Sequence, residues 1–136
     1  MSRLVRAALK GLAAVIFLVG FSIVLAGCVS REVRETRNLE IEDVDVSKIP
    51  DGTYLGKYGY SELVYTAKLE VENGRIQWIR LDENQPSPRS DWVKEIPERV
   101  IEANSTQVDV VSGATTSSKA VLKAIELALK AGARLR

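Results

Sequence analysis

The chain has 136 residues, 46% hydrophobic and 27% charged, with 19 Lys+Arg, 18 Asp+Glu, one Cys and no His. Without His there is no Ser-His-Asp or Cys-His nucleophile and no imidazole ligand. A single Cys excludes an intrachain disulfide, a CxxC pair and a zinc or iron–sulfur cage, so no metal site is expected. A net charge of +1 gives no electrostatic case for nucleic acid. Any redox or group-transfer chemistry must use a borrowed reactive group.

The first 30 residues stand apart. Arg3, Arg6 and Lys10 precede an uncharged apolar stretch from Gly11 to Ser30, the pattern of an export signal or of a short membrane anchor. The stretch ends in Leu25-Ala26-Gly27-Cys28, which resembles the lipobox of bacterial lipoproteins. That resemblance implies cleavage before Cys28 and lipidation of its thiol. A retained N-terminal transmembrane helix is the alternative. Either reading sends the remainder to the extracytoplasmic face of a bacterial cell membrane. Removing residues 1–27 leaves 16 basic against 18 acidic side chains, a net charge of −2.

Residues 28–50 carry dense mixed charge and are expected to form a spacer, with a short helix or strand near Leu39–Val46. The folded domain is expected over 51–136, opening at the turn Pro50-Asp51-Gly52. Thr53-Tyr54-Leu55, Tyr58 and Tyr60 are β-prone. From Glu62 to Glu72 the alternation is clear, with Leu63, Tyr65, Ala67, Leu69 and Val71 on one face. Asn73-Gly74 is a two-residue type I′ hairpin signal. Counting across it pairs Val71 with Ile76 and Leu69 with Trp78. A bulge near Trp78-Ile79 is needed to keep Arg80 out of the core.

Two short helices are expected next. One is capped by Ser90 or Asp91 and carries Trp92, Val93 and Ile96; the other has Pro97 in its first turn and Val100 and Ile101 facing inward. The longest helix is expected over Thr116–Ala131, with Val121, Ala124, Ile125, Ala128 and Leu129 in one stripe and Gly132 as its stop. Trp78 and Trp92 are assigned to the core. The fold class is α+β: a small antiparallel β-meander packed with a C-terminal amphipathic helix and one or two short helices.

The chemistry concentrates where the long helix starts, at Asp109-Val110-Val111-Ser112-Gly113-Ala114-Thr115-Thr116-Ser117-Ser118. A hydroxyl-rich turn with a glycine, leading into a helix N-terminus, presents free backbone N–H groups and the positive dipole end to whatever fills it. A phosphate suits it best. Ser112 and Thr116 to Ser118 are equally good helix N-caps, the ordinary role of such residues.

Asp109, Ser112, Gly113, Ala114 and Thr115 match the Asp-x-x-(Ser/Thr)-Gly-Ala-Thr motif, and the chain resembles the FMN-binding domains that carry it. These include the FMN-bearing subunits of sodium-pumping NADH:quinone reductase and of Rnf complexes. Asp51-Gly52-Thr53-Tyr54, the strands around Asn73-Gly74, Ile96-Pro97-Glu98 through Ala103-Asn104-Ser105, and Ser117-Ser118-Lys119-Ala120 extend the resemblance over about residues 51–130. It implies that Thr115 is esterified to the phosphate of FMN by a flavin transferase using FAD and Mg²⁺. Asp109, Ser112, Gly113 and Ala114 would then be recognised by the transferase and seat the phosphate, with Thr116 and Ser117 beside them. One departure follows Leu81. The family commonly has His or Asn and then Glu-Thr-Pro-Gly near the ring, where this chain has Asp82-Glu83-Asn84-Gln85-Pro86-Ser87-Pro88-Arg89. Tyr58, Tyr60, Asn84 and Arg89 are candidate ring contacts.

The resemblance thus implies a membrane-tethered flavoprotein that carries electrons between a donor and an acceptor the sequence does not identify. It would be a carrier rather than an enzyme, or a subunit of a larger oxidoreductase. A non-covalent FMN or phosphorylated-ligand module, and a non-redox lipoprotein interaction domain, are the alternatives.

Overall fold

A computed structural model describes residues 8, 10–13, 15–16, 31–86 and 90–135. They belong to two compact units, Met1–Glu32 and Val33–Arg136. In the first, residues 8, 10–13, 15–16 and 31–32 are helical, and Leu12, Val15 and Ile16 are exposed. Cys28 and the residues immediately before it lie outside the described residues. No helix among the described residues is long and apolar enough to cross a membrane.

The second unit opens with a helical segment, α1 (33–37). An irregular strap follows, closed by a 3₁₀ turn at Val46–Lys48. Three antiparallel strands, β1 (Gly52–Tyr60), β2 (Leu63–Glu72) and β3 (Arg75–Glu83), form a sheet in the order β1-β2-β3. A 3₁₀ turn at Ser90–Val93, then α2 (Glu95–Ala103) and α3 (Thr115–Ala133), complete the unit. This is the expected α+β meander. α3 lies across β1 and β2, and α2 lies against β3.

The alternation in β2 buries Tyr65, Ala67, Leu69 and Val71 against α3, whose Val121, Ala124, Ile125, Ala128 and Leu129 are all fully buried. Helix and sheet approach closely at Gly56. A Cβ there would fall 2.0 Å from the Ala124 carbonyl oxygen and 2.3 Å from the Ala128 nitrogen, so only a glycine lets α3 rest on the β1 backbone. Asn73 and Gly74 both have positive φ, as a type I′ turn requires.

Three expectations about detail are corrected. First, the bulge lies opposite Glu70/Val71, one step nearer the turn than Trp78-Ile79. Val71 pairs with Ile76 as expected, but Leu69 pairs with Ile79 and Glu70 with Trp78. Gln77 is the extra residue, so the inward set switches from Ile76 to Ile79 and Leu81. Trp78 is thereby turned outward, where its indole N–H donates to the Glu70 carboxylate at 2.5 Å. Trp78 and Trp92 are 36% and 48% exposed, so neither is a core residue.

Second, residues 33–50 are part of the domain rather than a spacer. Thr36, Val46 and Ile49 are buried, and Ile41 and Val44 pack against the core. The strap's backbone is held from outside: Gln107 Nε2 donates to the Ile41 carbonyl at 2.7 Å and Thr106 Oγ1 to the Glu42 carbonyl at 2.8 Å. Its charged side chains face outward while a few anchors carry the packing, an arrangement that composition alone does not reveal.

Third, Gly132 lies inside α3, which runs on to Ala133. Its role is close approach. A Cβ at Gly132 would sit 2.6 Å from Ile49 Cγ2 and 2.8 Å from Tyr54 Cζ. Gly132→Ala gains about 1 kcal/mol of helix propensity but crowds a packed junction, at a cost of about 1–3 kcal/mol. The clash should win by about 1 kcal/mol. A urea midpoint equal to or above that of the wild type would show that the Ile49–Tyr54 junction yields freely.

Candidate functional site

α3 begins without a conventional cap. Ala114 occupies the N-cap position and supplies no side-chain acceptor. The preceding turn is tied down by two bonds: Ala114 N–H donates to the Val111 carbonyl at 3.0 Å and Val111 N–H to Ser118 Oγ at 3.1 Å. Ser118 therefore holds the turn, and its buried hydroxyl is not available to a ligand. Gly113 has φ +80°, in the left-handed region that favours glycine. No side chain among the described residues caps the first N–H groups of α3 at its N-cap position.

These groups open into a cleft of about 310 Å³ lined by Val33, Arg37, Tyr60, Gly113, Ala114, Thr115, Thr116 and Ser117. No carboxylate lines it. Thr115, Thr116 and Ser117 are half-buried. Tyr60 Oη and Ser117 Oγ lie 3.1 Å apart and share a hydrogen bond. Tyr65 lies behind them: burial pushes its phenol above the usual range, against the opposing effect of a hydrogen bond with Ser117. Trp92 flanks the turn from another side, with Cζ3 4.0 Å from where a Gly113 Cβ would stand.

The structure brings Gly113, Ala114, Thr115, Thr116, Ser117 and Tyr60 together on one cleft. Ser112 is exposed at the turn and does not line it. Asp109 is exposed, its carbonyl accepting from Arg99 Nη1 at 2.9 Å. It lines a neighbouring groove with Glu40, Glu42, Gln107 and Lys119, and Arg37 borders both the groove and the cleft. Tyr58 Oη lies 3.3 Å from Thr36 Oγ1. Asn84 closes the end of the sheet, accepting from Val64 N–H at 2.7 Å and donating to the Glu62 carbonyl at 2.8 Å. Arg89 lies outside the described residues. Arg37 and Val33 line the cleft but escaped the sequence reading, because they sit in the segment read as a spacer. No group of His, Cys, Asp and Glu among the described residues could hold a metal ion.

A sequence profile described as "FMN-binding domain" matches residues 35–130. The chain belongs to the FMN-binding domain family. The matched span starts inside α1 and ends within α3, so the strap belongs to the family domain. An "Uncharacterized protein" of Treponema pallidum (strain Nichols) is 28% identical over 111 residues, covering 74% of this chain and 31% of that protein. The chain thus spans about a third of that relative's length. The crystal structure of the CPE2226 protein from Clostridium perfringens shares the fold, with a TM-score of 0.53 at 20% identity, over 65% of this chain and 92% of that one.

The donor set fits the phosphate end of FMN. Uncapped helix N–H groups, four hydroxyls and a guanidinium surround the cleft, and no acidic side chain lines it.

Proposed function

We propose that this FMN-binding domain protein holds FMN as an ester on Thr115 and carries electrons from a membrane-tethered position on the extracytoplasmic face. The observation that carries the reading is the placement of Thr115. It is the first residue of an uncapped helix, lies two residues after a left-handed glycine and lines a cleft that no carboxylate enters among the described residues. In the attachment step a flavin transferase would join Thr115 Oγ to the FMN phosphorus of FAD. The anhydride bond breaks, AMP leaves with Mg²⁺ neutralising its charge, and the hydroxyl proton is lost to the transferase or to solvent. Bound FMN would supply reversible hydride and one-electron chemistry. The chain's own residues do the rest: the α3 N-terminus and its hydroxyls hold the phosphate, and the sheet and Trp92 fix what surrounds it.

The absence of His from the sequence and of any carboxylate from the described lining of the cleft supports a carrier over an enzyme. Ester attachment also suits a compartment where a dissociated cofactor would diffuse away. Production with a flavin transferase should give a fluorescent band under ultraviolet light on a denaturing gel. A protein that stays dark with active transferase and FAD present would overturn the covalent reading.

The tether is a separate matter, and its support is Leu25-Ala26-Gly27-Cys28 after an apolar run. Labelled fatty acid should enter the wild type and be absent from Cys28→Ser. Label in both would remove Cys28 as the acceptor; label in neither would favour a retained helix as the anchor.

A further inference from the structure

The cleft at the α3 N-terminus has a second positive wall, and it comes from the other end of the domain. Arg37 ends α1 and lines the cleft with Thr115, Thr116 and Ser117. Five other cations have carboxylate partners, Lys48 with Asp45, Lys94 with Asp91, Arg99 with Glu95, and Lys123 and Lys130 with Glu126, while Arg37 is the cation that lines this cleft. The Arg37 guanidinium makes no hydrogen bond or ion pair among the described residues. It faces a helix N-terminus whose N–H groups carry partial positive charge. Arg37 is exposed and also borders the neighbouring groove of Glu40, Glu42 and Asp109, but within the cleft it meets no acid, and an anion there is attracted by both positive elements.

We infer that Arg37 is a ligand of the flavin's phosphate, closing over it from the side opposite the α3 N-terminus. The inference rests on the reading of the cleft as the FMN site and goes beyond it, because the family motif contains no arginine. A guanidinium offers paired N–H donors to two phosphate oxygens, which a helix terminus alone cannot match. The strap gains a function from this. Its bonds from Ile41 and Glu42 to Gln107, Thr106 and Glu126, with the bond between Thr36 of α1 and Tyr58, tie the segment that carries Arg37 to the rest of the domain.

The test uses the full chain in detergent, made without a transferase and titrated with FMN and with riboflavin, which lacks the phosphate. Wild type should prefer FMN. Arg37→Gln should lose about tenfold in FMN affinity, the worth of one charge-assisted contact, with riboflavin binding unchanged. Arg37→Lys should recover part of the loss, and Lys68→Gln, which removes a charge from the outer face of β2, should bind like wild type. Far-ultraviolet circular dichroism confirms that each variant is folded. Equal FMN affinity in wild type and Arg37→Gln overturns the inference, as does a wild type with no preference for FMN over riboflavin. Failure of the covalent reading shows separately, as no gain in mass when the wild type meets transferase and FAD.

Discussion

Thr115→Ala is expected to abolish covalent flavin completely while leaving the domain folded. The Thr115 hydroxyl is the first side-chain oxygen on α3, and none of the hydrogen bonds that hold the turn among the described residues uses it. The turn is held instead by Ser118 and by the Ala114–Val111 bond. Alanine is the best helix former, so the exchange should shift stability by no more than about 0.5 kcal/mol, in the stabilising direction. Stability and loading therefore separate cleanly. A denaturing gel and an intact mass should show the wild type loaded and Thr115→Ala unloaded, with coincident thermal transitions for the two apo proteins. Thr116→Ala is the necessary companion. Thr116 shares the cleft and follows directly in the chain, so an unaffected Thr116→Ala places the ester on Thr115. The reverse pattern would move it one residue along and refute the assignment. Thr115→Ser keeps the oxygen but loses the methyl that restrains χ1, and is expected to load more slowly than wild type.

What the sequence could reveal follows from how far each feature reaches along the chain. The β2–β3 hairpin was legible because Asn73-Gly74 dictates a local turn, and the pair nearest it, Val71 with Ile76, followed by counting. The bulge one step further was anticipated but misplaced. Its position depends on whether Trp78 gains more from the core or from the Glu70 carboxylate, a choice between neighbours that alternation does not encode. α3 was legible because five apolar positions repeat at helical spacing. Gly132 was misread because a glycine at a helix end and a glycine under a tyrosine ring look alike in one dimension. That Gly113 to Ser117 share one cleft wall is legible for the same reason as the hairpin: they are consecutive residues at the start of one helix. The cleft's far wall is not. Arg37 arrives through space, carried by a strap whose buried anchors, Thr36, Val46 and Ile49, are too sparse to give a period.

That strap depends on one buried carboxylate, which leads to the second large effect. Glu126 lies on the inner side of α3 and is fully buried. It accepts from Lys123 Nζ at 2.9 Å, from Lys130 Nζ at 2.7 Å and from Glu42 N–H at 3.1 Å; Lys130 also reaches the Glu42 carboxylate at 2.9 Å. Burial alone would raise the Glu126 carboxyl above its ordinary value. The hydrogen bonds from Lys130, Lys123 and the Glu42 amide outweigh it and hold the carboxyl below. Removing the carboxylate strips Lys123 of its counter-charge, leaves Lys130 only the exposed Glu42 carboxylate and leaves a backbone N–H unsatisfied, close to the situation in which breaking a buried pair costs about 3–5 kcal/mol. Because the Lys123 and Lys130 side chains are 19% and 28% exposed, their heads can turn toward water, so Glu126→Ala should fall at the lower end, about 3 kcal/mol. For a unit of this size that lowers the midpoint of thermal unfolding by roughly 12–24 °C.

The sign of the pH dependence follows from the lowered carboxyl. The stabilisation is present above the unfolded value near 4.5 and is lost as pH falls through the folded value. Wild type should lose stability steeply below that point, and Glu126→Gln should lack this part of the acid transition. The Glu42 amide should also exchange faster in the variant, because its acceptor is weakened. An unchanged acid limb together with unchanged exchange at Glu42 would show that Glu126 neither contributes its charge to the fold nor holds the strap. If both change, FMN affinity should fall as well, since a loosened strap takes Arg37 away from the cleft.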